Sequence, residues 1–194
     1  MYRWLEYLAF GRALERCRFR FLDRVTGTRS ALLLGDGDGR FLERLVKAAP
    51  QANIETVDSS SAMLRLSYER SKGAYVTFRH EDARTCVLAS GRFDLISTHF
   101  FLDCFDREEM EALVERLSAA AAPGSIWLVS EFRQAAPWSR WIIRVLYWFF
   151  RAFTGLEVRE LADHRPLLAA AGFELREEML SLGGLLTAEL WVGR

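Results

Sequence analysis

The chain has no net charge, few cysteines and no apolar run long enough to cross a bilayer, and each shortage removes a class of protein. Its 26 basic and 26 acidic residues cancel, so no bulk field draws it to nucleic acid. Cys17, Cys86 and Cys104 are odd in number and lack C-x-x-C spacing. That pattern argues against a disulfide framework and against a zinc site or other metal, and it fits a reducing cytoplasm. The N-terminal apolar positions are interrupted by Glu6, Arg12 and Glu15, so no signal peptide is expected. The aromatic stretch 137–153 is broken by Arg144 and falls short of the ~20 residues that span a membrane. What remains is 194 residues, 51% of them hydrophobic, enough for one domain with its own core.

Within that frame one stretch organises the rest. Ala31–Leu34 is an apolar run of strand length that passes straight into Gly35, Gly37 and Gly39. Leu42, Leu45 and Val46 then recur at helical spacing, so the glycines form a strand-to-helix turn. Glycine there permits backbone conformations closed to other residues and keeps side chains away from a ligand. The free N–H groups at the start of the following helix are expected to receive a ligand's anionic end. A dinucleotide fingerprint would need its third glycine at position 40, which is Arg40.

The spacing Gly35-x-Gly37-x-Gly39 after a strand resembles the first motif of class I S-adenosylmethionine-dependent methyltransferases. Ile54-Glu-Thr-Val-Asp58-Ser59-Ser60-Ser-Ala-Met63 is similar to the second. The resemblance implies that S-adenosyl-L-methionine is the cofactor and that Asp58, at the carboxyl edge of the sheet, accepts the ribose hydroxyls. Ser59 or Ser60 would cap the next helix, and Met63 would lie against the adenine. Asp82-Ala83, after a third strand, match the pair that the family places by the adenine amine. Phe93-Asp-Leu-Ile-Ser-Thr98-His99 resembles the fourth motif, whose strand ends at the transferred methyl. The donor set implied is therefore Gly35, Asp36, Gly37, Gly39, Asp58, Ser59, Met63, Asp82, Ala83 and Thr98. A ligand-free turn and an ordinary strand-end acid are the plain alternatives for the glycines and Asp58.

His99 is the catalytic candidate, because imidazole titrates near neutrality and can take or orient an acceptor's proton. Equally, it can simply pack beside the cofactor. One position departs from the family: the acid usually found two residues before the first glycine is Leu33, and Asp36 is the residue available to supply that charge.

Alternating strands and helices predict an α/β fold. It is Rossmann-like: a doubly wound seven-stranded sheet, mostly parallel, with helices on both faces and a C-terminal antiparallel hairpin. Asp106 to Glu109 reads as a capping box, and Ser125–Phe132 as a fully buried fifth strand. Asp163 to Gly172 reads as a helix, and two final strands near Phe173–Met179 and Leu185–Val192 flank Ser181-Leu-Gly-Gly184. A single domain 1–194 would comprise a helical cap (1–29), a donor-binding core (30–132), a helical lid (133–160) and the closing helix and hairpin (161–194).

Basic residues gather in the two helical additions. Arg3, Arg12, Arg16, Arg18, Arg20, Arg24 and Arg29 outweigh Glu6, Glu15 and Asp23 in the first, while Arg133, Arg140, Arg144 and Arg151 face no acid in the second. The cap carries an apolar face at Trp4, Leu5, Leu8, Leu14, Cys17, Phe21 and Val25, which suits packing on the sheet; the resemblance implies instead a cover over the donor or substrate pocket that Tyr2, Trp4, Tyr7 and Arg12 reach. As a helix, 137–153 sets Arg140, Arg144 and Arg151 opposite Trp138, Ile142, Leu146, Phe149 and Phe153. Such a helix suits a lid over a small lipophilic or aromatic acceptor, a peripheral membrane contact, or packing on its own domain or a homodimer mate. Two other functions stay open at this stage: a non-catalytic relative acting through a protein partner, and a nicotinamide-dependent oxidoreductase.

Overall fold

The computed structural model describes residues 12–72, 74–133 and 162–194. The expectations for positions 2–8 and for 137–153 lie outside these residues. A seven-stranded sheet runs β3-β2-β1-β4-β5-β7-β6. Its strands are β1 (Ser30–Leu34), β2 (Asn53–Asp58), β3 (Val76–His80), β4 (Phe93–His99), β5 (Ala121–Phe132), β6 (Phe173–Ser181) and β7 (Leu186–Gly193). The first five pair in parallel, and β7 is antiparallel to both β5 and β6. This is the expected Rossmann-like α/β architecture.

Helices α1 (Ala13–Arg18), α2 (Arg40–Ala48), α3 (Ser61–Arg70), α4 (Arg107–Ala120) and α5 (Arg165–Ala170) accompany it. Two separate cores form because the central strands are apolar on both faces, as a doubly covered sheet requires. On one face Ala31, Leu33, Leu95 and Leu128 meet Phe41, Leu42 and Leu45 of α2, with Cys17, Phe21 and Val25 from the N-terminal side. On the other, Leu32, Leu34, Ile96, Trp127 and Val129 meet Met110, Leu113, Val114 and Leu117 of α4 and Leu168 of α5.

Local signals fix the helix starts. Ser60, not Ser59, caps α3, its hydroxyl accepting from Met63 N–H at 3.4 Å. Asp106 and Glu109 form the expected reciprocal capping box. Two boundaries differ from expectation. The fifth strand begins at Ala121, directly after α4, and the Pro123-Gly124 step is absorbed as a shift in the β4 register between Phe93 and Leu95. The last helix is shorter than expected, with Pro166 in its first turn.

Helix α5 is tied to the sheet by a buried acid. Glu189 of β7 accepts from His164 Nε2 (2.8 Å), Trp191 Nε1 (2.8 Å), Arg165 Nε (2.9 Å) and Thr187 Oγ1 (3.1 Å). Burial alone would raise this carboxyl, but the hydrogen bond and charge of His164, the Arg165 guanidinium and the Trp191 indole hold it down at about 2, below its ordinary 4.5. The ionised form therefore favours the folded chain. Its contribution is complete above pH about 4.5 and is lost as pH falls toward about 2. Glu189→Gln should cost about 3–5 kcal/mol at neutral pH, because it removes the buried charge on which His164, Arg165, Trp191 and Thr187 converge. Urea unfolding from neutral to acid pH should show the wild type losing that advantage in this window while the variant stays flat there.

Candidate functional site

Gly35 N–H donates to the Val57 carbonyl at 3.0 Å. The glycine turn after β1 and the Asp58 end of β2 therefore lie side by side at the carboxyl edge of the sheet, where α/β proteins bind ligands. All three glycines have positive φ, at 59°, 62° and 80°, but their surroundings differ. A Cβ on Gly35 would lie 2.2 Å from the Phe101 ring, and one on Gly39 would lie 2.6 Å from Ser67 Cα of α3. A Cβ on Gly37 would meet nothing within 4 Å. Two glycines thus admit neighbouring parts of the protein, and only Gly37 leaves backbone open to a ligand.

The start of α2 is not the free anion site that the sequence suggests. Asp36 is 5% exposed and lies beneath the helix, where its Oδ2 accepts from Leu42 N–H at 3.0 Å. A carboxylate in that place satisfies an orphan helix donor and the positive end of the helix dipole. Leu33 is fully buried against α2, so an acid there would be stranded; the carboxylate appears at Asp36 instead.

Three buried polar atoms gather by this turn without hydrogen-bond partners among the described residues: Asp36 Oδ1, His99 Nε2 and Arg18 Nε. Burial pushes Asp36 up to about 6 against the opposing charge of Arg18. His99 ends β4. Its Nδ1 is 2.9 Å from Ser130 Oγ, and its ring meets Phe41 edge-on at 4.6 Å. Burial, then the Arg18 charge, hold its pKa well below 6.5. Its imidazole is therefore neutral. The Arg18 guanidinium also lies over Phe100, 5.8 Å from the ring centroid.

Asp58 is half-buried. One carboxylate oxygen accepts from Ser60 N–H at 2.7 Å, and the other has no partner among the described residues. Burial raises its pKa, moderated by Ser60 and His80. Ser59 is exposed, with its carbonyl 3.0 Å from His80 Nε2, and Met63 is half-buried in the first turn of α3.

The other candidates do not join this group. Thr98 is fully buried and its hydroxyl accepts from Trp127 Nε1 at 2.9 Å, so its side chain belongs to the core on the α4 side. Asp82 is held by Arg84 through Nε and Nη2, which lowers its pKa. Ala83 is buried, and its carbonyl receives Arg116 Nη1 at 2.8 Å. Arg18, Phe101 and Glu131 were not singled out as site residues. Glu131 had a signal: it is the one ionisable residue within a run, Ser125–Phe132, otherwise suited to a buried strand.

Comparisons with known proteins bear on the fold that carries these residues. A family model described as a methyltransferase domain matches residues 31–124. No curated protein matches the sequence. The N-methyltransferase NodS from Bradyrhizobium japonicum WM9, solved with S-adenosyl-L-homocysteine, superposes with a TM-score of 0.70 at 16% identity, over 93% of this chain and 87% of that one. An S-adenosylmethionine-dependent methyltransferase from Mesorhizobium loti gives 0.69 at 15% identity, covering 92% and 99%. The 1,6-didemethyltoxoflavin-N1-methyltransferase of Burkholderia thailandensis, with that compound and S-adenosylhomocysteine bound, gives 0.69 at 18%, covering 93% and 77%. The matched methyltransferase domain over 31–124 and the sheet built around it make the chain similar in fold to the S-adenosylmethionine-dependent methyltransferases.

Proposed function

We propose that the chain transfers the methyl group of S-adenosylmethionine to a small lipophilic or aromatic acceptor. The observation that carries this reading is the trio of unpartnered buried atoms beside the glycine turn. The amino-acid end of the donor is a zwitterion, and burying it calls for an anion to meet its ammonium and a cation to meet its carboxylate. Asp36 Oδ1 suits the first and Arg18 Nε the second, with the free nitrogen of His99 beside them. Asp58, half-buried with one oxygen open, suits a ribose diol, and Gly37 admits close approach of the donor to the backbone.

The bound donor supplies a methyl group already made electrophilic by its sulfonium. The chain's own residues then have to align it with an acceptor and exclude water. His99 fits an orienting role better than a proton-shuttling one, since a group whose protonated form is so disfavoured is a poor proton acceptor. The same geometry weighs against the nicotinamide alternative. A pyrophosphate needs the free N–H groups of the helix start, and here the Asp36 carboxylate already takes Leu42 N–H and adds negative charge. For the acceptor, the fold shared with an enzyme solved holding 1,6-didemethyltoxoflavin supports a small molecule. The aromatic content of 137–153 supports a lipophilic one.

Calorimetric titration with S-adenosylhomocysteine, S-adenosylmethionine and NAD tests the assignment. The first two should bind and NAD should not; NAD binding alone would overturn it. Asp58→Ala should weaken S-adenosylhomocysteine binding by more than about tenfold. Gly37→Ala should lose about 1–2 kcal/mol of stability, from strain alone, together with donor affinity. Gly39→Ala should lose more stability, because its methyl runs into the Ser67 backbone, and melting curves will separate the two.

A further inference from the structure

Glu131 stands at the end of β5, next to the β4–α4 connection that closes over the glycine turn. It is 2% exposed. Its Oε1 accepts from two successive backbone groups of that connection, Phe101 N–H at 3.1 Å and Leu102 N–H at 2.9 Å. Its Oε2 is buried and has no hydrogen-bond partner among the described residues. Phe101 is the residue whose ring lies against Gly35, so the open oxygen is one residue's reach from the donor turn, on the α4 side of the sheet.

The charge around this oxygen has one sign. Burial, then the neighbouring Asp103 carboxylate, and further off Glu189, push Glu131 well above the ordinary carboxyl range, and burial lifts Asp103 to about 6. The nearby His164 and Arg165 are spent on Glu189, with Arg165 also bonded to Glu178. A neutral hydroxyl placed against Oε2 would give it a hydrogen bond but bring no positive charge to a group that burial and Asp103 keep from ionising. An ammonium group answers both.

Resting on the donor assignment above, we propose that Glu131 Oε2 receives the nucleophilic nitrogen of the methyl acceptor, which is a protonatable amine. The resting carboxyl releases its proton to water as the ammonium enters, leaving an ion pair. Transfer of one N–H proton to Oε2 then frees the nitrogen lone pair. That lone pair bonds the methyl carbon while the carbon–sulfur electrons stay on sulfur, and the product departs as a secondary ammonium. Glu131 is left protonated, as it began. A carboxyl raised by its surroundings is what makes proton transfer from an ammonium feasible.

The test uses the whole chain saturated with S-adenosylhomocysteine and two matched probe pairs, tryptamine with tryptophol and benzylamine with benzyl alcohol, titrated at neutral pH. At least one amine should bind about tenfold or more tighter than its alcohol. Glu131→Gln retains a carbonyl for Phe101 and Leu102 but puts an N–H₂ where Oε2 was. It should erase that preference while leaving the melting temperature and S-adenosylhomocysteine affinity unchanged. Equal or tighter binding of the alcohols, no binding of either amine, or an amine preference that survives Glu131→Gln would overturn the proposal. Loss of S-adenosylhomocysteine binding in the variant would overturn it too, by showing that the carboxylate only braces the connection. A wild-type chain that takes up no S-adenosylhomocysteine would overturn the donor assignment itself, a result told apart from all the others.

Discussion

The site depends first on a steric fit. Between β1 and α2 the backbone passes so close to Phe101 on one side and to Ser67 on the other that a single added methyl at position 35 or 39 would sit inside a van der Waals radius of its neighbour. The same residues must turn with positive φ, which penalises any L side chain there by about 1–2 kcal/mol even in open space. These requirements draw the β4–α4 connection, the start of α2 and the flank of α3 onto one point at the end of β1. Asp36 then sets the electrostatics of that point by filling the helix start from below.

The two faces of the sheet carry opposite electrical problems at this edge. Toward α2, one acid, one cation and a neutral imidazole stand near each other with unmet hydrogen-bonding capacity. Toward α4 and α5, carboxylates predominate: Glu189 is fully matched by its neighbours, and Glu131 is matched on one oxygen only. A donor with a zwitterionic end and an acceptor with a basic nitrogen would each complete one face. The methyl would then pass between them over the ends of β1 and β4.

Much of the fold was legible in the sequence because its signals are local. Apolar runs of strand length, helical recurrences, the Asp106–Glu109 box and the Gly-Gly step before Leu185 each act within a few residues. The seven strands consequently fall where the pattern puts them. The candidate site is partly legible: the glycine turn and the Asp58 end of β2 lie side by side through the Gly35–Val57 hydrogen bond. What could not be seen were distances between segments far apart in the chain. Thr98 was assigned to the site from its motif position, but strand alternation turns it toward Trp127, 29 residues on. Asp82 was matched to the family's acid by its motif position, but Arg84 engages it. Gly39 answers to Ser67, and Arg18 reaches the site from a helix that sequence periodicity could only describe as apolar-faced. Which of the acids inside the last parallel strand and β7 have partners depends on α5 and the β4–α4 connection, which no local signal reports.

The Glu189 cluster also bears on how such a protein can diversify. On one side of residues 134–161, Arg133 is bound to the sheet by its N–H to the Leu185 carbonyl (2.8 Å) and by its guanidinium to Glu178 (3.0 Å). On the other, His164 and Arg165 are bound to Glu189, and Arg165 to Glu178 as well. Both ends of the intervening segment are thus fastened to the same pair of strands, and the gap it must bridge is fixed independently of its content. Doubling the length of a flexible stretch between fixed ends costs only about 0.6 kcal/mol. A change in the length of chain between these anchors therefore costs little, and the strands beneath keep their register.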